Sequence, residues 1–363
     1  MALTWISLTD FRSYADLHWS PDPGTNILVG DNGAGKTNLL EAVGYLAMMR
    51  SFRNAPDEAL VRDEASSGVI RGETNVGTSN TLIEIEIKKR GGRRARLGGK
   101  PLPRVTDLLG ALRVVSFLPE DLDLVKGAPA GRRALLDDLA VQLWPAAHQD
   151  QAEYDRALRQ RNAYLKSGDR DSTTIEVWDS RLSQAGARVM SRRARAAAAL
   201  LGATAEIYST VADRPSDVTI SYQSDWGGSL DPSTPPSEWT AALTRALEAR
   251  RRADYELKLT SAGPHRDDPT LVLDQRQARH QASQGEQRTL ALGLRIASHR
   301  AIVENVETDP VLLLDDVFSE LDPHRSEAMI AALPAAQTLI TTTRPEEVPV
   351  EGKVWRVEPG IIE

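Results

Sequence analysis

Gly30-Asp31-Asn32-Gly33-Ala34-Gly35-Lys36-Thr37 fits the pattern G-x-x-x-x-G-K-[ST], and its flanks suit a phosphate-binding loop. The apolar run Asn26-Ile27-Leu28-Val29 ahead of it reads as a strand, and Thr37 to Met49 reads as a proline-free helix. Gly30, Gly33 and Gly35 let the backbone curl so that successive N–H groups converge on phosphate oxygens. The helix that follows adds its positive N-terminal end. Lys36 is placed to reach the β- and γ-phosphates of a nucleotide, and the Thr37 hydroxyl to hold Mg²⁺. A glycine-rich turn could match the pattern by accident, but strand before and helix after argue against that.

The chain of 363 residues is long enough for two or three domains, each with its own core. With 41% hydrophobic and 26% charged residues it has the composition of a soluble globular protein, and no apolar run is long enough to cross a bilayer. Met1 to Trp5 lacks the basic-then-apolar pattern of a secretion signal. The absence of cysteine excludes a disulfide framework and a cysteine zinc site, and a reducing cytoplasm is the expected location. A net charge of −7 argues against wholesale coating of nucleic acid, while leaving room for a local basic patch.

Trp5 to Leu8 reads as a first strand, Phe11-Arg12-Ser13-Tyr14 as a turn, and the next strand as the one that feeds the phosphate loop. Past the loop helix, Arg53 could approach a nucleotide or simply solvate a helix end. From Thr81 apolar and polar residues alternate strictly, with Ile83, Ile85 and Ile87 against Glu84, Glu86 and Lys88, the pattern of a half-buried strand. A hairpin turn at Arg90-Gly91-Gly92 sits in a basic run that includes Lys88, Lys89, Arg90, Arg93, Arg94 and Arg96, with no acid between Glu86 and Asp107. That run suits contact with a phosphate backbone, or equally a hairpin kept soluble by its charge. Leu112 to Phe117 reads as another strand.

From 128 to 257 the chain turns rich in Ala, Arg, Leu and Gln. Leu182, Ala185, Val189, Ala196, Leu200 and Ile207 mark one long amphipathic helix, and Val218 to Tyr222 a short strand. We read this segment as a mainly helical arm inserted into a nucleotide-binding head formed by 1–127 and 258–363. In Gly263-Pro264-His265-Arg266-Asp267-Asp268 the histidine and acids could suggest a metal, but a fixed loop is the better reading, since one histidine seldom makes a site.

Two further stretches specify the class. Ser283-Gln284-Gly285-Glu286-Gln287 opens a helix, and a serine and glycine there make an anion site. Val311 to Leu314 followed by Asp315-Asp316 is an apolar strand ending in a carboxylate pair. Asp315 would serve the Mg²⁺ shell, and Asp316 would orient or deprotonate the attacking water. With Ser319-Glu320-Leu321-Asp322 behind them, these motifs resemble, in order, the signature, Walker B and D-loop of ABC-type ATPases.

That resemblance implies an α/β fold, an ABC-type ATPase head with a mixed sheet and helices, in which ATP is enclosed between the phosphate loop of one subunit and Ser283 to Glu286 of another. No histidine follows the strand Thr338 to Thr343, where transporter subunits usually carry one, and the arm is far shorter than the coiled coils of the chromosome-maintenance proteins. Phe11 to Tyr14, Gly30 to Asn38, Pro119 to Leu122, Arg132-Arg133, Arg161-Asn162, Gly263 to Asp268, Ser283 to Arg288 and Asp315 to Asp322 resemble the RecF family of bacterial DNA replication and repair proteins nearly end to end. The resemblance implies an ATP- and Mg²⁺-dependent homodimer with slow, DNA-stimulated ATPase activity. It also implies binding to gapped DNA near single/double-strand junctions, and work with RecR, RecO and RecA. It departs from many ABC ATPases in carrying Glu120 where a metal-sensing glutamine is usual, and Asp316 in place of a catalytic glutamate. The alternatives are the soluble ATPase subunit of a membrane transporter and a repair scaffold without useful ATPase activity.

Overall fold

Two kinds of hydrophobic pattern build two kinds of sheet in the computed structural model, which describes residues 1–229 and 231–363 without the side chains of Ser229 and Glu320. Runs buried on both faces form the centre of a parallel sheet in the order Lys353–Glu358, Thr25–Val29, Thr338–Thr342, Val311–Asp315, Val114–Phe117, in which Lys353–Glu358 is largely exposed and Ile361–Ile362 lies antiparallel at its edge. Every residue of Val311–Asp315 and Thr338–Thr342 is buried, as a sheet covered on both faces requires. An antiparallel sheet, with alternating runs at its centre, is ordered Tyr14–Trp19, Ala2–Phe11, Ser67–Val76, Ser79–Lys88, Arg93–Leu97, Lys100–Pro101. Ile83, Ile85 and Ile87 point into the core from the strand whose alternation the sequence displays. The segment after Phe11 holds more order than expected: beyond a two-residue turn, Tyr14–Trp19 pairs back on the first strand, and the strand feeding the phosphate loop is a separate one.

The helix Lys36–Met48 packs against strands of both sheets. Leu39, Leu40, Val43, Tyr45 and Leu46 have no exposed surface, and they point in several directions around the axis. A helix apolar all round belongs in a core, and this one has no wet face on which to show amphipathic spacing. Glycines admit it closely: a Cβ on Gly72 would lie 2.9 Å from Leu46, and one on Gly44 2.9 Å from Phe52. Gln337 ties the sheets at one end, accepting from the Leu3 N–H at 2.7 Å and donating to the carbonyls of Leu3 and Asp22, each at 2.9 Å. These elements belong to one compact unit made of Met1–Leu122, Ile207–Arg214 and Arg288–Glu363.

Asp123–Glu206 and Pro215–Gln287 form a second unit. Its long helices are Pro129–Leu143, Ala146–Ser167, Pro236–Leu257 and most of Ser172–Val211, the last being the long amphipathic helix of the sequence, with all six marked positions buried. Val218–Ser224 pairs antiparallel with Asp268–Leu273, although a helix separates them in the chain.

Gly263 to Asp268 is the hub of this second unit. Gly263 has φ +130°, and a Cβ there would sit 2.6 Å from the Tyr154 hydroxyl. That hydroxyl donates to His265 Nδ1 at 2.6 Å, because His265 Nε2 must spend its proton on the Thr260 carbonyl at 3.0 Å. Burial lowers the His265 pKa to about 4, so the ring is neutral near pH 7. Arg193 pairs with Asp137 and donates to the Pro264 carbonyl at 2.6 Å. Arg133 donates to the Asp267 carbonyl at 2.8 Å, and Tyr222 to the Asp267 carboxylate at 2.5 Å. Arg132 chelates Asp268. The fixed loop read from the sequence is therefore a polar junction between three helices and a sheet.

A second buried network lies nearby. Arg161, with no exposed surface, pairs with Asp179 at 2.6 Å and Asp254 at 2.7 Å, and donates to Thr260 at 2.9 Å. Removing one partner of a buried pair strands the others, at a cost of about 3–5 kcal/mol. Arg161→Met is expected to lower the free energy of unfolding by about that amount, read from urea titration of the full chain. A loss under about 1 kcal/mol, the scale of exposed pairs, would show that the two carboxylates find other partners.

Candidate nucleotide-binding site

The strand Thr25–Val29 delivers Gly30 at its carboxyl end, and the loop closes at the first residue of Lys36–Met48. Gly33 and Gly35 have φ of +84° and +115°, where a side chain would be strained. A Cβ on Gly30 would stand 2.2 Å from the Val357 carbonyl oxygen, so only glycine fits. Lys36 Nζ donates to the carbonyls of Gly30 at 2.6 Å and Asp31 at 3.0 Å. Its pKa is lowered by burial, with Asp316, Asp315 and Asp31 opposing the shift.

Phe11 to Tyr14, which the sequence marked without a role, braces this loop. Tyr14 Oη donates to the Gly35 carbonyl at 3.1 Å, and Asn38 donates to Ser13 Oγ at 2.9 Å. Arg12 grips the fully buried Glu41 through two bonds of 2.8 and 2.9 Å, while Ser51 donates to the same carboxylate. Glu41 thus fixes the loop helix to the turn before it and the exit after it.

Across the loop, Asp315 ends its strand with Oδ1 accepting from Thr37 Oγ1 at 2.8 Å and from Thr341 Oγ1 at 2.7 Å. Asp316 takes φ +49°, and its Oδ1 is buried with no hydrogen-bond partner among the described residues. Burial raises the Asp316 pKa and Asp315 adds to the rise, while Lys36 opposes it. Lys36, Thr37, Asn38, Arg53, Asp315, Asp316 and Thr341 line one cavity of about 190 Å³ together with Asn32, Gly33 and Gly35. Arg53 is exposed and also lines this cavity, so both readings of it are met. Thr341 carried no signal in the sequence, because one threonine in Thr341-Thr342-Thr343 looks like the next. A hydroxyl and a carboxylate 2.8 Å apart are hard oxygen donors of the kind Mg²⁺ takes with phosphate oxygens and water. Among the described residues no group of three or more His, Asp or Glu is arranged to hold a metal by itself.

Ser283 to Gln287 lies in the second unit. Ser283 and Glu286 form a capping box, the Glu286 N–H donating to Ser283 Oγ at 3.3 Å and the Ser283 N–H to Glu286 Oε2 at 2.7 Å. Gln287 is buried and donates to the carbonyls of Ala278 and Arg279, whereas Ser283 and Gln284 are exposed. In the first unit Asp322 caps the helix Pro323–Ala332 through the Arg325 N–H at 3.1 Å. Glu120 sits in the short turn Pro119–Asp123, where Asp121 pairs with Arg295 at 2.5 Å.

The basic hairpin looks different in space than along the chain. Arg94 lies opposite Glu86 and Arg96 opposite Glu84, and Glu84 also pairs with Arg71 at 2.9 Å. Arg93 turns inward to Asp57 at 3.3 Å, the Tyr45 hydroxyl and the Met49 carbonyl. Lys89 is half-buried, Arg90 is exposed at the turn, and Lys88 approaches Glu86 at 4.0 Å. The face carries arginines and glutamates together, lining a groove of about 590 Å³.

The fold is that of an ABC-type ATPase head. The model of the RecF/RecN/SMC N-terminal domain family matches residues 2–359. A DNA replication and repair protein RecF from Kineococcus radiotolerans is 42% identical, over 96% of this chain and 94% of its own. One from Frankia alni is also 42% identical, over 97% and 96%. The solved recombination mediator protein RecF of the RecFOR pathway, as RecF-ATPrS, superposes with a TM-score of 0.92 at 28% identity, covering 100% of this chain and 97% of that one. The Smc head domain derived from Pyrococcus furiosus shares the fold at a TM-score of 0.56 and 14% identity, over 99% and 95% of the two chains. With a family match across almost its whole length and relatives at this identity, the chain belongs to the RecF family of DNA replication and repair proteins.

Proposed function

We propose that this chain binds ATP with Mg²⁺ in the cavity between the phosphate loop and Asp315-Asp316, hydrolyses it slowly, and uses the bound nucleotide to join two copies on DNA. The observation that carries the proposal is the meeting of Lys36 and Thr37, from one helix start, with Asp315 and Asp316, from one strand end, around a single cavity. Gly30 to Asn38 would cradle the phosphates, and Thr37 with Asp315 would hold the cation, which neutralises charge on the phosphates. Asp316, kept partly desolvated and left with a partnerless oxygen, would orient the attacking water. In the dimer, Ser283, Gln284, Gly285 and Glu286 of a second copy would complete the site; Ser283 and Gln284 have exposed side chains, as that role needs.

The DNA part of the proposal rests on the family and on Lys88, Lys89, Arg90, Arg94 and Arg96, with Arg93 spent on holding the hairpin to the loop helix. Binding would be sequence-independent, at gaps near single/double-strand junctions, in the cytoplasm and in company with RecR, RecO and RecA. RecF relatives carry the name of DNA replication and repair proteins, and solved RecF structures are placed in the RecFOR pathway. The transporter-subunit alternative is not favoured by that kinship. No helix among the described residues is long and apolar enough to cross a membrane.

Asp316→Asn is expected to retain ATP binding while its turnover falls by about 10²-fold or more, measured as phosphate release; normal hydrolysis would remove Asp316 from the chemistry. Light scattering is expected to show a dimer with ATP and Mg²⁺ for the unmodified chain and a monomer for Ser283→Arg. An unmodified chain that binds ATP and stays monomeric, even with DNA, would defeat the trans-completed site. On DNA, Arg94→Ala with Arg96→Ala is expected to flatten the slope of log affinity against log salt by about 2. An unchanged slope would move the DNA contact off the hairpin.

A further inference from the structure

Thr341 stands on the strand Thr338–Thr342 in register with Asp315 on the parallel neighbour. It is 1% exposed. Its single hydroxyl serves both acids: the proton goes to Asp315 Oδ1 at 2.7 Å, and a lone pair accepts the Asp316 N–H at 3.0 Å. The Thr341 carbonyl lies 3.2 Å from the same N–H. Asp316 at this point has φ +49°, a left-handed conformation that aspartate enters more readily than most side chains and that neighbouring bonds can hold in place. Thr37 also donates to Asp315 Oδ1, so both hydroxyls converge on one carboxylate oxygen and leave Oδ2 to point elsewhere.

We propose that Thr341 is a positioning residue that locks the two carboxylates to one another, holding Asp315 in its cation-facing orientation and Asp316 in its left-handed turn. The inference rests on the reading of this cavity as an ATP site and adds to it a residue outside every motif. A hydroxyl is needed because the position must donate on one side and accept on the other. Valine keeps the branched shape and can do neither. Serine keeps both bonds.

The test compares the unmodified chain with Thr341→Val and Thr341→Ser in two assays: steady-state ATP hydrolysis, and the Mg²⁺ concentration that half-saturates binding of a fluorescent ATP analogue. For T341V we expect kcat to fall on the order of tenfold to a hundredfold, as loss of a group that orients a metal ligand does. The KM for ATP should stay within about twofold, because phosphate binding is left intact. Half-saturation should need on the order of tenfold more Mg²⁺. T341S should behave like the unmodified chain in both assays. A T341V chain with unchanged kcat and Mg²⁺ dependence would overturn the proposal, as would a T341S chain as impaired as T341V, since shape rather than the hydroxyl would then matter. Should T341V fail to fold, Thr341→Ala against Thr341→Ser decides between the same outcomes. An unmodified chain that binds no ATP would overturn the site reading and this inference together, a result separable from a defect confined to the variants.

Discussion

A helix without a solvent face needs apolar neighbours on every side, and Lys36–Met48 finds them in two sheets of opposite character. This constraint organises the first unit. The parallel sheet supplies strand ends that carry the loop and the carboxylates, while the antiparallel sheet closes the far side of the helix with its isoleucine face. Because the helix begins at Lys36, its packing sets where the lysine and Thr37 stand. The buried Glu41 completes the arrangement, since a carboxylate in that core is tolerable only with Arg12 and Ser51 bound to it. Position at the cavity is thus fixed by burial about one and a half turns further along the helix.

The second unit solves a different problem. Its helices are rich in alanine, which buries little area per residue, and buried polar junctions link them. Arg161, Arg193 and the Gly263–Asp268 hub each satisfy several groups from different helices. Such networks add little net stability compared with apolar packing, but they penalise wrong arrangements heavily, because any slip strands a charge.

Much of the site was legible because its chemistry demands particular residues at fixed spacing. Glycines at positive φ, a lysine and a hydroxyl residue at a helix start, and acids at a strand end leave few residue types to choose from. The long helix was legible from its spacing, and the strand at Thr81 from its alternation. The pairing of Tyr14–Trp19 was hidden, since its buried positions do not alternate regularly. The strand pair Val218–Ser224 and Asp268–Leu273 was hidden because register between distant segments leaves no local trace. The hairpin misleads when read along the chain: its unbroken basic run is interleaved with Glu84 and Glu86 only across the strands. Thr341 was invisible because its role depends on which neighbour it faces.

The Gln337 side chain joins the strand nearest the start of the chain to a residue 334 positions later, and the loop strand Thr25–Val29 waits for partners at Thr338 and Lys353. During synthesis the phosphate loop therefore leaves the ribosome long before the strands that flank it exist. At bacterial elongation rates that delay is on the order of tens of seconds. For that interval the apolar helix and the unpaired edges of Thr25–Val29 must be shielded by transient structure or by chaperones, and the first unit can close only when translation is nearly complete. A topology of such high contact order ties assembly of the cavity to the end of synthesis, so a truncated chain would leave no competent site behind.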